Sequence, residues 1–176
     1  MKSSPRVLVI LFLLFSSQFC WARMAPRMYS IMAQVSGTVS EGTDAAGKST
    51  YNNKISFEAL YLVRGGPTFG GRYMIEARNE LESNAGQAYG PIAGYYSEVG
   101  VFVLVTYDVL AKIGRWTNGE GFEATLGYVQ HIGDQVHVGA KFSTRQMKYK
   151  TDITDSTAVS KTIKENFPSL VFMYLF

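Results

Sequence analysis

His131 and His137, the only two histidines of the 176-residue chain, stand on either side of Gly133-Asp134-Gln135. A tight turn through those three residues would set the imidazoles facing each other, with the carboxylate of Asp108 diagonal to His131 on the preceding strand. Two imidazoles and a carboxylate suit a metal ion or a general-base pair. Nothing beside them supplies an evident nucleophile, so the blander reading is two polar residues at a rim, hydrogen-bonded to neighbours or water. On that reading the sequence names no catalytic residue, metal or cofactor.

A larger set of charges lies on alternating stretches: Glu58, Arg72, Glu76, Arg78, Asp108, Lys112, Glu123, Lys141 and Arg145. An isolated buried charge is very costly, so charges that share a buried face must pair. Tight turns between successive stretches would put Glu123 opposite Arg145, Lys112 diagonal to Glu123, and Glu58 diagonal to Arg72 and Glu76. Such a set is a structural salt-bridge network, or, where uncompensated, the lining of a narrow polar path. Gly65-Gly66-Pro67-Thr68-Phe69-Gly70-Gly71 lacks the Lys-Ser/Thr ending and following helix of a phosphate loop, and reads as a turn flanked by strand glycines.

The elements that must position these residues are strands, because apolar and polar residues alternate. Ile55 to Arg64, Phe69 to Arg78, Val101 to Lys112, Phe122 to Val129, Val136 to Ser143 and Leu170 to Phe176 each carry β-branched, small and aromatic residues on one face. Polar and charged residues hold most of the other. Tyr29 to Val39 reads as a first strand and Gln87 to Tyr96 as a fourth, giving eight.

Turn lengths test the faces by parity. The strand ending near Trp116 has odd apolar positions and the next has even ones, so their loop must be even. Asn118-Gly119 supplies a two-residue turn, pairing Ile113 with Ala124 and Val109 with Tyr128. The hairpin at Gly133-Asp134-Gln135 needs an odd loop, pairing Ile132 with Val136 and Leu126 with Phe142. The earlier hairpin also needs an odd loop, and Gly65-Gly66-Pro67 fits. All three agree with an antiparallel meander.

The chain begins as a secretory signal does. Lys2 and Arg6 precede the apolar run Val7 to Phe15, and Cys20-Trp21-Ala22 ends in a small residue. A nine-residue run is too short for a membrane helix, which needs about 20 residues. Residues 1–22 are therefore read as a cleaved signal and 23–176 as one domain. Cys20, the only cysteine, leaves with the signal. The mature charge falls to about +1, which gives no electrostatic case for nucleic acid. Eleven Tyr, eleven Phe and seventeen Gly, with no later apolar run of helix length, suit a membrane only as a closed sheet, since every backbone polar group must be satisfied in lipid. The long polar links Ser40 to Asn53, Glu82 to Gly86 and Lys150 to Lys161 would share one end and the short turns the other. Tyr29, Trp116, Tyr149 and Tyr174 fit an interfacial aromatic girdle.

The last seven residues, Leu170-Val171-Phe172-Met173-Tyr174-Leu175-Phe176, resemble the closing strand of the bacterial outer-membrane β-barrel superfamily. That strand ends in an aromatic residue preceded by apolar or aromatic residues at alternate positions; here Phe176, Tyr174, Phe172 and Leu170 match. In size the chain is similar to the small eight-stranded members of the OmpA transmembrane domain and OmpX type. The resemblance implies an all-β, antiparallel, up-and-down eight-stranded transmembrane barrel in the outer membrane, monomeric, with both termini periplasmic. It further implies that outer-membrane lipid surrounds it and that the barrel-assembly machinery reads Leu170, Phe172, Tyr174 and Phe176. Some small barrels are lipid A deacylases or palmitoyl transferases. The His-x-Ser pair of the deacylases is missing, because Ile132-Gly133 follows His131 and Val138-Gly139 follows His137. A structural or surface-interaction barrel is the leading expectation, ahead of a narrow pore or a lipid-modifying enzyme.

Overall fold

Alternation of β-branched and aromatic residues with polar ones produces the strands of the computed structural model. It describes residues 29–43, 49–64, 66–79, 85–153 and 160–176. The strands are β1 (Tyr29–Thr43), β2 (Ser49–Val63), β3 (Pro67–Arg78), β4 (Ala85–Tyr96), β5 (Val101–Ile113), β6 (Trp116–His131), β7 (Val136–Asp152) and β8 (Lys161–Leu175). Each pairs antiparallel with the next, and β8 returns to β1, so the sheet closes into a barrel. The eight-stranded meander expected from the alternation is the fold found. The proposed signal, residues 1–22, lies outside the described residues.

The stagger sets the barrel's shape. Moving directly across the ladders from Ser30 leads through Leu62, Thr68, Gly94, Leu104, Thr125, Ser143 and Phe167. Extending the β8–β1 register then returns to position 40, ten residues further along β1. Eight strands with that stagger tilt by about 40° and enclose a space that side chains can fill.

Three expected connections move. The β5–β6 hairpin turns at Gly114-Arg115, with Ile113 opposite Trp116, and not at Asn118-Gly119. Ile113 therefore does not pair with Ala124, nor Val109 with Tyr128; Tyr107 faces Phe122 and Val101 faces Tyr128. Both turns are even, so parity could not separate them. Asn118 keeps its positive φ of 51° for a bulge inside β6, while Gly114 takes φ 56° at the turn. The β2–β3 link runs through residues 64–66, and Pro67 opens β3, so Glu58 lies directly opposite Arg72. The strands also absorb much of the expected loops: β1 and β2 run on to Thr43 and Ser49, leaving 44–48 between them.

A bulge on β5 changes a face. Pro91 on β4 has no N–H to give its neighbour, and the β4–β5 register shifts between Tyr89 and Ile92. Val109 and Leu110 both point outward as a result. One extra residue reverses every later side chain, so Ala111 and Ile113 are buried and Lys112 is exposed.

Proline also limits the closing seam. The β1–β8 ladder runs only from Met32/Leu175 to Gly37/Leu170. Phe176 N donates to Ile31 O at 2.9 Å, so bonding pairs recur every second residue and the next beyond Gly37/Leu170 is Val39/Pro168. Pro168 has no N–H there. Leu175 N donates to Gln135 O on the other side, so odd β8 positions bond to β7 and Pro168 leaves that ladder intact. Thr38 Oγ1 instead donates to Pro168 O at 2.7 Å, tying the two strands where the ladder stops.

Candidate functional site

The barrel is built inside out. Its outward positions carry exposed Ile31, Val35, Ile55, Phe57, Phe69, Ile75, Val103, Val105, Phe122, Leu126, Phe142, Leu170 and Phe172. About nine residues per strand at about 3.3 Å each, tilted about 40°, make an apolar belt about 23 Å tall. Beyond it, Thr144, Gln146, Lys148, Thr162, Lys164 and Asn166 turn the outer face of β7 and β8 polar.

The interior is filled in layers. Near the end of the barrel that holds Tyr29 and Phe176, Met32, Leu60, Ile92, Tyr96, Phe102, Leu104, Val129, Val171 and Met173 form an apolar layer drawn from β1, β2, β4, β5, β6 and β8. Phe102 fits because Gly127 faces it: a Cβ built on that glycine would fall 2.2 Å from Phe102 Cζ. A smaller apolar group of Met74, Ala88, Ala111, Ile113, Met147 and Tyr149 lies toward the other end, with Trp116 packed on it. Tyr149 is thus an interior residue rather than part of a girdle, and Trp116 starts β6 half-buried.

Among the described residues, charged groups occupy the rest as three interior clusters, and buried Asp152 pairs with the exposed Arg115 beyond them. Lys141 Nζ bonds Glu58 Oε1 at 2.6 Å, and Gln34 Nε2 donates to Glu58 Oε2. Arg72 donates to Asp108 Oδ2 through Nη2 at 2.7 Å and sets Nη1 2.6 Å from Glu123 Oε2. Arg145 reaches both Glu76 and Glu165; Arg78 does the same, and Lys54 adds a bond to Glu165. Three clusters hold five cations (Lys54, Arg72, Arg78, Lys141, Arg145) and five carboxylates (Glu58, Glu76, Asp108, Glu123, Glu165). The charges cancel.

Of the nine charges expected inside, the structure buries Glu58, Arg72, Glu76, Arg78, Asp108, Glu123, Lys141 and Arg145. Lys112 is the exception, turned out by the β5 bulge. Glu123 does lie opposite Arg145 in register, yet its ion pair is with Arg72 across the barrel. Glu58, directly opposite Arg72, pairs instead with Lys141 on the far wall. Lys54, Glu165 and Gln34 were missed. Lys54 and Gln34 share the face of Glu58 and Ser36 and were legible by extending the alternation. Glu165 was hidden behind Pro168, which breaks the pattern before Leu170.

The histidines face each other as expected, at opposed positions of the β6–β7 hairpin. His131 Nδ1 lies 3.1 Å from His137 Nε2, and the rings are tilted by 59°. Asp108 does not join them. It sits opposite Gly121 and is bound to Arg72, because the β5–β6 turn falls at Gly114-Arg115. Among the described residues no three His, Cys, Asp or Glu side chains converge as a metal site.

The chain is similar in fold to Neisserial surface protein A. The likeness covers 85% of this chain and 98% of that one, with a TM-score of 0.53 and 13% sequence identity. At that identity the likeness concerns the fold: an eight-stranded antiparallel closed barrel, as the resemblance of the C-terminal strand implied. No family model matches the chain, and no curated protein does.

Proposed function

We propose that the chain is an integral β-barrel of the bacterial outer membrane, with a structural or surface-interaction role and no enzymatic activity. The observation that carries this reading is the inversion of the barrel, an encircling apolar belt outside and paired charges inside. In water such a belt would expose far more contiguous apolar surface than soluble monomers tolerate. Its height of about 23 Å matches the roughly 25 Å apolar band of outer-membrane barrels. The fold likeness to a surface protein supports the same reading.

The closed interior favours a structural role over a pore. An ion would have to cross the apolar layer around Phe102 and Leu104, and the balanced charges leave no field of one sign to draw it in. The separation of Asp108 from His131 and His137 weakens the lipid-modifying reading. The strand ends at Thr43, Ser49, Arg78, Ala85, Asp152 and Lys161 share the end opposite Phe176, which suits outward-facing connections and termini in the periplasm. Leu170, Phe172 and Phe176 are exposed and Tyr174 is partly so, leaving the last strand accessible to the barrel-assembly machinery. A monomer surrounded by outer-membrane lipid is the simplest assembly.

Gel mobility of the detergent-extracted protein, with and without boiling, tests this together with membrane fractionation. A heat-dependent shift and outer-membrane recovery are expected. Identical mobility and release with the periplasm would overturn it. Steady single-channel conductance in a planar bilayer would instead replace the filled interior with a pore.

A further inference from the structure

We propose that His131, His137 and Met173 form a transition-metal site at the mouth of the barrel beside Phe176. The three residues occupy one row across β6, β7 and β8: His131 is opposite His137, and His137 is opposite Met173. His137 and Met173 are both buried. Opposed side chains on one sheet face have Cβ atoms about 4.5–5.5 Å apart, within reach of a thioether.

The separation of the two imidazole nitrogens fits a shared cation. Zinc and copper take imidazole nitrogen at about 2.0–2.1 Å, so an ion bound to both would see two nitrogens 3.1 Å apart at about 100°. That angle lies between square-planar and tetrahedral. His137 is 2% exposed and turns its Nε2 toward His131 Nδ1. Binding requires only that each ring carry its hydrogen on the nitrogen facing away from its partner. With no carboxylate or thiolate in the row, two imidazoles and a thioether favour Cu(I), with Zn(II) bound more weakly. Access is open because His131 is partly exposed and Ile132 to Gln135 are exposed.

The test is equilibrium dialysis of the full chain in detergent micelles against Zn(II), and against Cu(I) under reductant, followed by metal analysis. Heat-dependent gel mobility reports folding separately, so a lost barrel is not mistaken for a lost site. The parent is expected to retain stoichiometric Cu(I), His131→Ala to retain none, and Met173→Leu to lose Cu(I) preference over Zn(II). No retention by the parent, or equal retention by His131→Ala, overturns the site and leaves a plain hydrogen-bonded pair. Cu(I) retention indifferent to Met173→Leu overturns the thioether as a ligand.

Discussion

Replacing Arg72 with methionine tests whether the interior is dry. Arg72 is the cation that contacts both Asp108 and Glu123, at 2.7 and 2.6 Å, and neither carboxylate side chain is more than 2% exposed. Neighbouring cations are already committed: Lys141 to Glu58, and Arg145 to Glu76 and Glu165. Arg72→Met therefore leaves two adjacent buried carboxylates without a counter-ion. Breaking a buried pair by removing one partner costs about 3–5 kcal/mol, roughly a hundred- to several-thousand-fold in the folding equilibrium. Urea unfolding in lipid vesicles, followed by Trp116 fluorescence and by gel mobility, would read the loss. Removing the whole cluster, as Arg72→Met with Asp108→Asn and Glu123→Gln, should recover most of it, since no charge is left unpaired. A cost below about 1 kcal/mol for the single variant, as for a solvent-exposed pair, would refute the reasoning and mean that water reaches the cluster.

Four further outcomes follow from named contacts. Lys112→Ala should shift stability by less than about 0.5 kcal/mol, whereas Lys141→Met should cost about 3 kcal/mol by stranding Glu58; equal costs by urea unfolding would mean that the β5 bulge is misplaced. Pro168→Ala restores the missing donor opposite Val39, so amide exchange should slow along 38–43 and 161–168, and unchanged exchange would clear proline of opening the seam. Gly127→Leu drives a side chain into the Phe102 ring and should cost at least about 1–3 kcal/mol, relieved in part by Phe102→Ala; a neutral result in the same unfolding assay would contradict the packed layer. Leu126→Lys places a charge in the middle of the belt and should cost about 2–4 kcal/mol in vesicles if lipid surrounds it. A tolerated lysine would point to water there.

Much of this architecture was fixed locally. Alternation in stretches such as Val101 to Tyr107 and Phe122 to Tyr128 determines strands and their two faces, because successive side chains point to opposite sides. Parity then determined that the loops be odd or even, and at Gly133-Asp134-Gln135 it gave the full register, from His131/His137 to Glu123/Arg145. A slip by any even number of residues keeps every face unchanged, so parity could not separate turns at Gly114-Arg115 and Asn118-Gly119, nor fix Glu58 opposite Arg72. The turned-out Lys112 depends on a bulge that answers Pro91 on the neighbouring strand, which no local pattern around Lys112 records. Ion pairing lies further still from the sequence. Arg72 meets Asp108 and Glu123, and Lys141 meets Glu58, because closure with a ten-residue stagger sets which inward side chains face one another across the barrel. Faces belong to the period of a strand; partners across a closed sheet belong to its registers, its bulges and its closure.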